Sequence, residues 1–237
     1  MAKRRALLNF PNALALNGSN QNVSFPVSSI LNCAGLTALT IFMRLKVTAN
    51  LALGSQYFLF VPGVSGGTSA RVTLDFQGNK LRFGARDTDG GSFKSITSNE
   101  AIAKRGEYIS IAGALDTVND RIKIHANGLL LKQDTTQTWA TISTGNSGTI
   151  RLGSAAADNN YSPIHIVDFQ FFANTYLSDS DLLTLAQGHA IETAPNVRHR
   201  FQGLNGTTLT DDMGNANGTI IGSPTLTTGL VETRRLI

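Results

Sequence analysis

The chain of 237 residues is poor in cysteine, tryptophan and charge. Cys33 is the single cysteine, so no intramolecular disulfide can staple the fold, and the disulfide-dense scaffold of small extracellular modules is excluded. No apolar run approaches the ~18 residues of a membrane helix, so a transmembrane helix is excluded and no membrane partner is expected. The N-terminus begins basic, as an export signal does, but Asn9, Pro11 and Asn12 break the apolar stretch that should follow. The expectation is a chain made in a cytoplasm and not exported by a signal peptide.

Charged residues make up 15% of the chain, and the formal net charge is +4. Lys3, Arg4, Arg5, Arg234 and Arg235, offset by Glu232, account for that excess. The body is therefore near neutral and has no basic stripe for phosphates, so nucleic acid is not an expected partner. Catalytic constellations are also missing. The four glutamates, Glu100, Glu107, Glu192 and Glu232, do not form the Glu-x-Asp-x-x-Glu strand that many glucanases use. His125, His165, His189 and His199 are scattered, and neither a Gly-x-Ser-x-Gly elbow nor a His-Glu-x-x-His pair occurs. The chain is read as non-enzymatic.

What is present is strand periodicity. Ile41, Met43, Leu45 and Val47 alternate with Phe42, Arg44 and Lys46, and Val72, Leu74 and Phe76 repeat the pattern before a Gln77–Lys80 turn into Leu81 and Phe83. Arg121–Leu131 reads as strand, Asn127-Gly128 turn, strand, because that dipeptide supplies positive φ at both turn positions. In the first of these strands His125 falls opposite the Ile122 and Ile124 side and should point outward into solvent. Only Ser178 to Gln187 reads as helix, with Ser178 as cap and Asp181 at the capping-box position. The 23 glycines suit many short strands joined by tight turns. The class is all-β, a sandwich of two antiparallel sheets with one short helix near 178–187.

Several of these segments together resemble a laminin-G-like, concanavalin A-like lectin-glucanase jelly roll. Ala13–Phe25 resembles its opening strand pair, Leu39–Val47 its long core strand, and Lys80–Gly84 the short strand after the first hairpin. Gly106–Leu115, Arg121–Leu131 and Gly148–Ser154 follow in the family's central order, and Ile164–Phe172 with Leu177-Ser178 resembles the closing strand and helix. The family's Trp-His pair is replaced by Glu107-Tyr108, and Tyr108 is expected to fill a similar core position. The implied organisation is a basic arm over 1–12, the jelly roll over 13–190, a C-terminal strand pair over 191–228 and a basic tail over 229–237. The strand pair either packs on the same sandwich or docks on a neighbouring subunit, which would make a homo-oligomer.

Two function classes follow. The first is a non-catalytic structural protein of a virus particle, a tailed-phage head decoration or fibre or tail accessory located in the virion. It fits a lone lectin-like module without disulfide, anchor or catalytic set, and its partners would be other capsid or tail proteins. The alternative is a free carbohydrate-binding lectin whose partners are cell-surface glycans. Ligand candidates are Trp139, the single tryptophan, together with Tyr161, Asp87 and Asp89, as loop residues that can stack on or hydrogen-bond a sugar. Packing at the core or rim is the competing role for Trp139. Calcium is the ion that Asp/Asn/Gly loops suit. Its candidate ligands are Asp211, Asp212, Asn215 and Asn217 in one loop, Asp158 in another, and Asp168 on the closing strand. The same side chains can instead hydrogen-bond their own turns.

Overall fold

The computed structural model describes residue 10 and residues 12–64, 70–88, 91–144, 147–157, 159–201 and 204–229. Most of the basic arm, the basic tail from 230 onward, Asp89 and Asp158 lie outside the described residues.

In chain order the strands are β1 (Asn12–Asn17), β2 (Asn22–Phe25), β3 (Ala38–Val47), β4 (Gln56–Val64), β5 (Val72–Gln77), β6 (Lys80–Ala85), β7 (Lys94–Thr97), β8 (Tyr108–Asp116), β9 (Arg121–Ala126), β10 (Leu129–Asp134), β11 (Ser147–Leu152) and β12 (Pro163–Ala173). The helix α1 (Asp179–Ala186) follows. The chain then closes with β13 (Val197–His199), β14 (Leu204–Asn205), β15 (Thr208–Leu209), β16 (Gly218–Ile221) and β17 (Thr225–Thr228).

Among the described residues these make two antiparallel sheets packed face to face. One has eight strands in the order β10-β9-β8-β3-β12-β1-β17, with β13 also on β12; the other has nine in the order β14-β15-β16-β2-β11-β4-β5-β6-β7. The C-terminal strands enter both, β17 beside β1 and β16 beside β2.

Between the sheets lies one continuous core, filled by the alternate inward residues that the sequence pattern marks. Ile41, Met43, Leu45 and Val47 face Val72, Leu74, Phe76, Leu81 and Phe83 within it. Aromatic rings knit its centre, with Phe60 and Phe169 centroids 5.4 Å apart and Phe25 and Phe169 6.5 Å apart. Gly113 sits where an added Cβ would come within 2.4 Å of the Phe83 ring, so the two sheets approach closely there. The Asn127-Gly128 hairpin forms as its sequence implies, with φ of 50° and 79°.

The outer faces of the two sheets differ. On the eight-stranded sheet Phe42, Ala112 and Phe172 point outward and are covered by Leu177, Leu182 and Leu185, so α1 adds a third layer. Ser178 caps that helix by accepting from the Asp181 amide, and the Asp181 carboxylate returns the bond to the Ser178 amide. At the other end Arg44 donates to the Leu185 and Ala186 carbonyls of the last turn, the first of which also accepts from the Gly188 amide. A short 3-10 turn, Ile30–Asn32, lies against β4 and β11 of the nine-stranded sheet, and no α-helix covers that sheet among the described residues.

Tyr108 is half-buried on the outer side, against Phe10, Ala13 and Val167, with Lys46 Nζ 5.2 Å above its ring. His125 does face outward, but it is 1% exposed, because α1 lies over it and brings Asp179 within 3.2 Å of its Nε2.

Candidate ligand-binding face

Strand alternation decides which residues of the nine-stranded sheet look outward. In β5 these are Thr73, Asp75 and Gln77, since Val72, Leu74 and Phe76 are core. Register then carries the face across the sheet. Phe58 opposes Asp75, Asp75 opposes Arg82, and Arg82 opposes Thr97. A second row runs from Ser24 through Arg151 to Val61 on its neighbours.

Asp75 is fully buried and takes a bidentate grip from Arg82, Nε to Oδ1 at 3.1 Å and Nη2 to Oδ2 at 3.0 Å, while Gln56 donates at 3.3 Å. Burial pushes the Asp75 carboxyl up, and the Arg82 charge pulls it back. The pair therefore serves to fix Arg82, whose side chain stays 18% exposed and whose Nη1 hydrogens remain for a ligand.

Beside it Phe93 rests on Gly84, and an added Cβ at that glycine would lie 2.6 Å from the Phe93 ring. The guanidinium groups of Arg82 and Arg86 stand 5.7 and 5.5 Å from the Phe93 centroid. On the same outward face Phe58, Gln56, Ser95 and Thr97 are partly exposed. The patch thus combines an aromatic ring, an anchored guanidinium and neutral hydroxyl and amide groups, which is the mixture that sugar recognition needs.

The sequence candidates fall in several places. Asp87 and Trp139 come together at the β7 edge through Lys94, which pairs with the Asp87 carboxylate, donates to the Thr138 carbonyl at 2.6 Å and lies 5.3 Å from the Trp139 ring. The Lys94 hydrogen bond holds the Asp87 carboxyl below its ordinary value. Trp139 is 9% exposed and belongs to the core cluster, so its indole packs at the rim and offers little surface for stacking. Tyr161 is half-buried on the loop from β11 to β12, which is tied to β4 by the Ser162 hydroxyl donating to the Phe58 carbonyl. That loop stands on the β11 side of the sheet, away from the β7 edge.

The carboxylates proposed for calcium that lie among the described residues, Asp168, Asp211 and Asp212, are engaged internally. Asp211 accepts four backbone N–H groups, from Arg198, Met213, Asn215 and Ala216, at 2.7 to 3.1 Å. Asn217 accepts from the Asp211 amide, Asn215 donates to the Asn196 carbonyl, and Asp212 pairs with Arg200. Asp168, buried under the outer layer of the other sheet, pairs with Arg198 at 3.2 Å and accepts from Gln170 at 2.7 Å. Four N–H dipoles aimed at one carboxylate repel a cation, and no three His, Cys, Asp or Glu side chains converge among the described residues. These residues do not fit a calcium ion in this arrangement.

Sequence reasoning missed Phe58, Arg82, Phe93 and Thr97. A signal for them exists: the outward positions of β5 to β7 are mostly polar, whereas those of β3 and β12 include Phe42 and Phe172, which demand a cover.

Two antiparallel sheets with this strand order define a lectin-like jelly-roll sandwich, with the Phe58 to Thr97 part of one outer face partly exposed. Solved structures share it at low identity. A sialidase carbohydrate-binding module of Ruminococcus gnavus, bound to α2,3-sialyllactose, is 18% identical with a TM-score of 0.60, over 75% of this chain and 98% of its own. A native heptameric SAP-like pentraxin of Limulus polyphemus is 16% identical with a TM-score of 0.58, over 90% of this chain and 96% of its own. A Bacteroides ovatus protein is 13% identical with a TM-score of 0.66, over 92% of this chain and 60% of its own. No family model and no curated protein matches the chain.

Proposed function

We propose that the chain binds carbohydrate without catalysis, on the outer face of the nine-stranded sheet around Phe93, Arg82, Phe58 and Thr97. The observation that carries this reading is Phe93, seated on Gly84 beside the Arg82 and Arg86 guanidinium groups on the outer face of the sheet. A sugar ring would lay its C–H face on Phe93 and direct hydroxyls to the Arg82 Nη1, Gln56 and Thr97. The low-identity neighbours support this reading, since one of them is bound to a sialylated trisaccharide. They give no support to a place in a virus particle, so the second of the two sequence readings takes precedence.

The test is a glycan array on the whole chain, run with calcium and again with EDTA, followed by titration of the best ligand, with α2,3-sialyllactose as the first probe. Binding should survive EDTA. Phe93→Ala should weaken it at least tenfold, and Thr97→Val several-fold, without lowering the melting temperature, since one stacked ring contributes ~1 kcal/mol or more. A blank array, or full affinity in both variants, would refute the assignment.

A further inference from the structure

We infer that two copies of this chain associate through β10, the free edge of the eight-stranded sheet. Among the described residues β10 pairs only with β9, which leaves the backbone groups on its other side open. Its start is also apolar and exposed: Leu129 is 67% and Leu130 46% exposed, and Leu183 of the adjoining helix is 40% exposed. Proteins usually blunt such an edge with an unpaired charge, a proline or a bulge.

A bulge is present, because the β9 register breaks between Leu130 and Lys132. It leaves Lys132–Asp134 as the regular stretch, opposite Ile124, Lys123 and Ile122. A lone lysine there would repel a second copy. Lys132, however, is followed two residues later by Asp134 on the same face, which makes the strand self-complementary. Antiparallel pairing about a two-fold axis through Gln133 sets Lys132 of each copy against Asp134 of the other, twice, with the two Gln133 side chains side by side on the opposite face.

Asp134 is suited to that contact. Gln137, donating to Oδ2, and the Thr136 amide and hydroxyl, both donating to Oδ1, hold its pKa at about 2, and Oδ2 keeps a further lone pair for an incoming ammonium group. Lys132 makes no ion pair among the described residues. Beyond the charged centre, Leu131 and Leu130 of one copy would meet Thr135 and Thr136 of the other. The result is a symmetric, closed interface of the isologous kind.

The register makes the test specific. The protein is followed by light scattering and sedimentation over a wide concentration range, and two single-cysteine variants are oxidised. The native Cys33 is fully buried and does not compete. A reversible dimer is expected, and Lys132→Glu should raise its dissociation constant about tenfold. Gln133→Cys should form a disulfide dimer, because facing Cα atoms of paired strands lie within disulfide range. Leu129→Cys should not, since the two thiols would stand eight residues out of register. A monomer at every concentration, or equal cross-linking of the two cysteine variants, would overturn the proposal.

Discussion

At the scale of single residues, the proposed binding face depends on a glycine. Gly84 lies on the outward row of β6, and a methyl group there would meet the Lys94 carbonyl at 2.4 Å, Ser95 Cβ at 2.5 Å and the Phe93 ring at 2.6 Å. Two of those neighbours are β7 itself, which cannot move without breaking its ladder with β6. Gly84→Ala should therefore lower stability by roughly 1–3 kcal/mol, as overpacking does, and weaken glycan binding by displacing Phe93. Phe93→Ala, by contrast, should affect binding alone. Comparing melting temperature with affinity for the two variants separates support of the face from contact with the ligand. A Gly84→Ala protein with unchanged stability and binding would mean that Phe93 does not depend on this seat.

At the scale of elements, the helix is docked through charge as well as apolar contact. Asp179 at its N-terminus receives the buried Lys123 ammonium at 2.6 Å and lies 3.2 Å from His125. Burial and the Lys123 charge lower the His125 pKa from 6.5 to about 4. A histidine whose folded pKa is depressed stabilises the fold above its unfolded pKa, and that contribution is lost as pH falls from 6.5 toward 4. His165 and His199 are also lowered, mainly by burial, and add to the same slope. His125→Gln should accordingly be less sensitive to acid over that window than the parent, measured as melting temperature against pH. Equal slopes would show that His125 stays neutral without cost.

The same helix shows what was legible in the sequence. Its cap, its length and its apolar side follow from local chemistry, as does the Asn127-Gly128 hairpin, because such signals need only neighbours in the chain. The solvation of His125 did not follow, because α1 arrives from more than fifty residues away to cover it. The Phe93 patch was hidden for a related reason: β4, β5, β6 and β7 each contribute one or two side chains, and only sheet register brings them together. The Asp211 loop has the composition of an ion site, but its carboxylate is taken up by the turn's own amides, which composition cannot reveal.

At the scale of the molecule, the two sheets divide their tasks. The eight-stranded sheet carries the third layer and the proposed dimer edge, and the nine-stranded sheet carries the proposed ligand face. A dimer through β10 would leave both ligand faces open and tether two of them, raising avidity without a new contact.

The strands nearest the two ends are also neighbours, since Asn12 pairs with Thr228 in the eight-stranded sheet. A permuted chain, with Gly229 joined by a short linker to Phe10 and new ends opened between the exposed Leu53 and Gly54, should fold with a melting temperature near that of the parent; failure to fold would show that β1 must begin the chain. Topologically the sandwich is a closed circuit, and the cut in it can be moved. It could equally sit as an insert within a host protein, entering and leaving one surface loop at a single point.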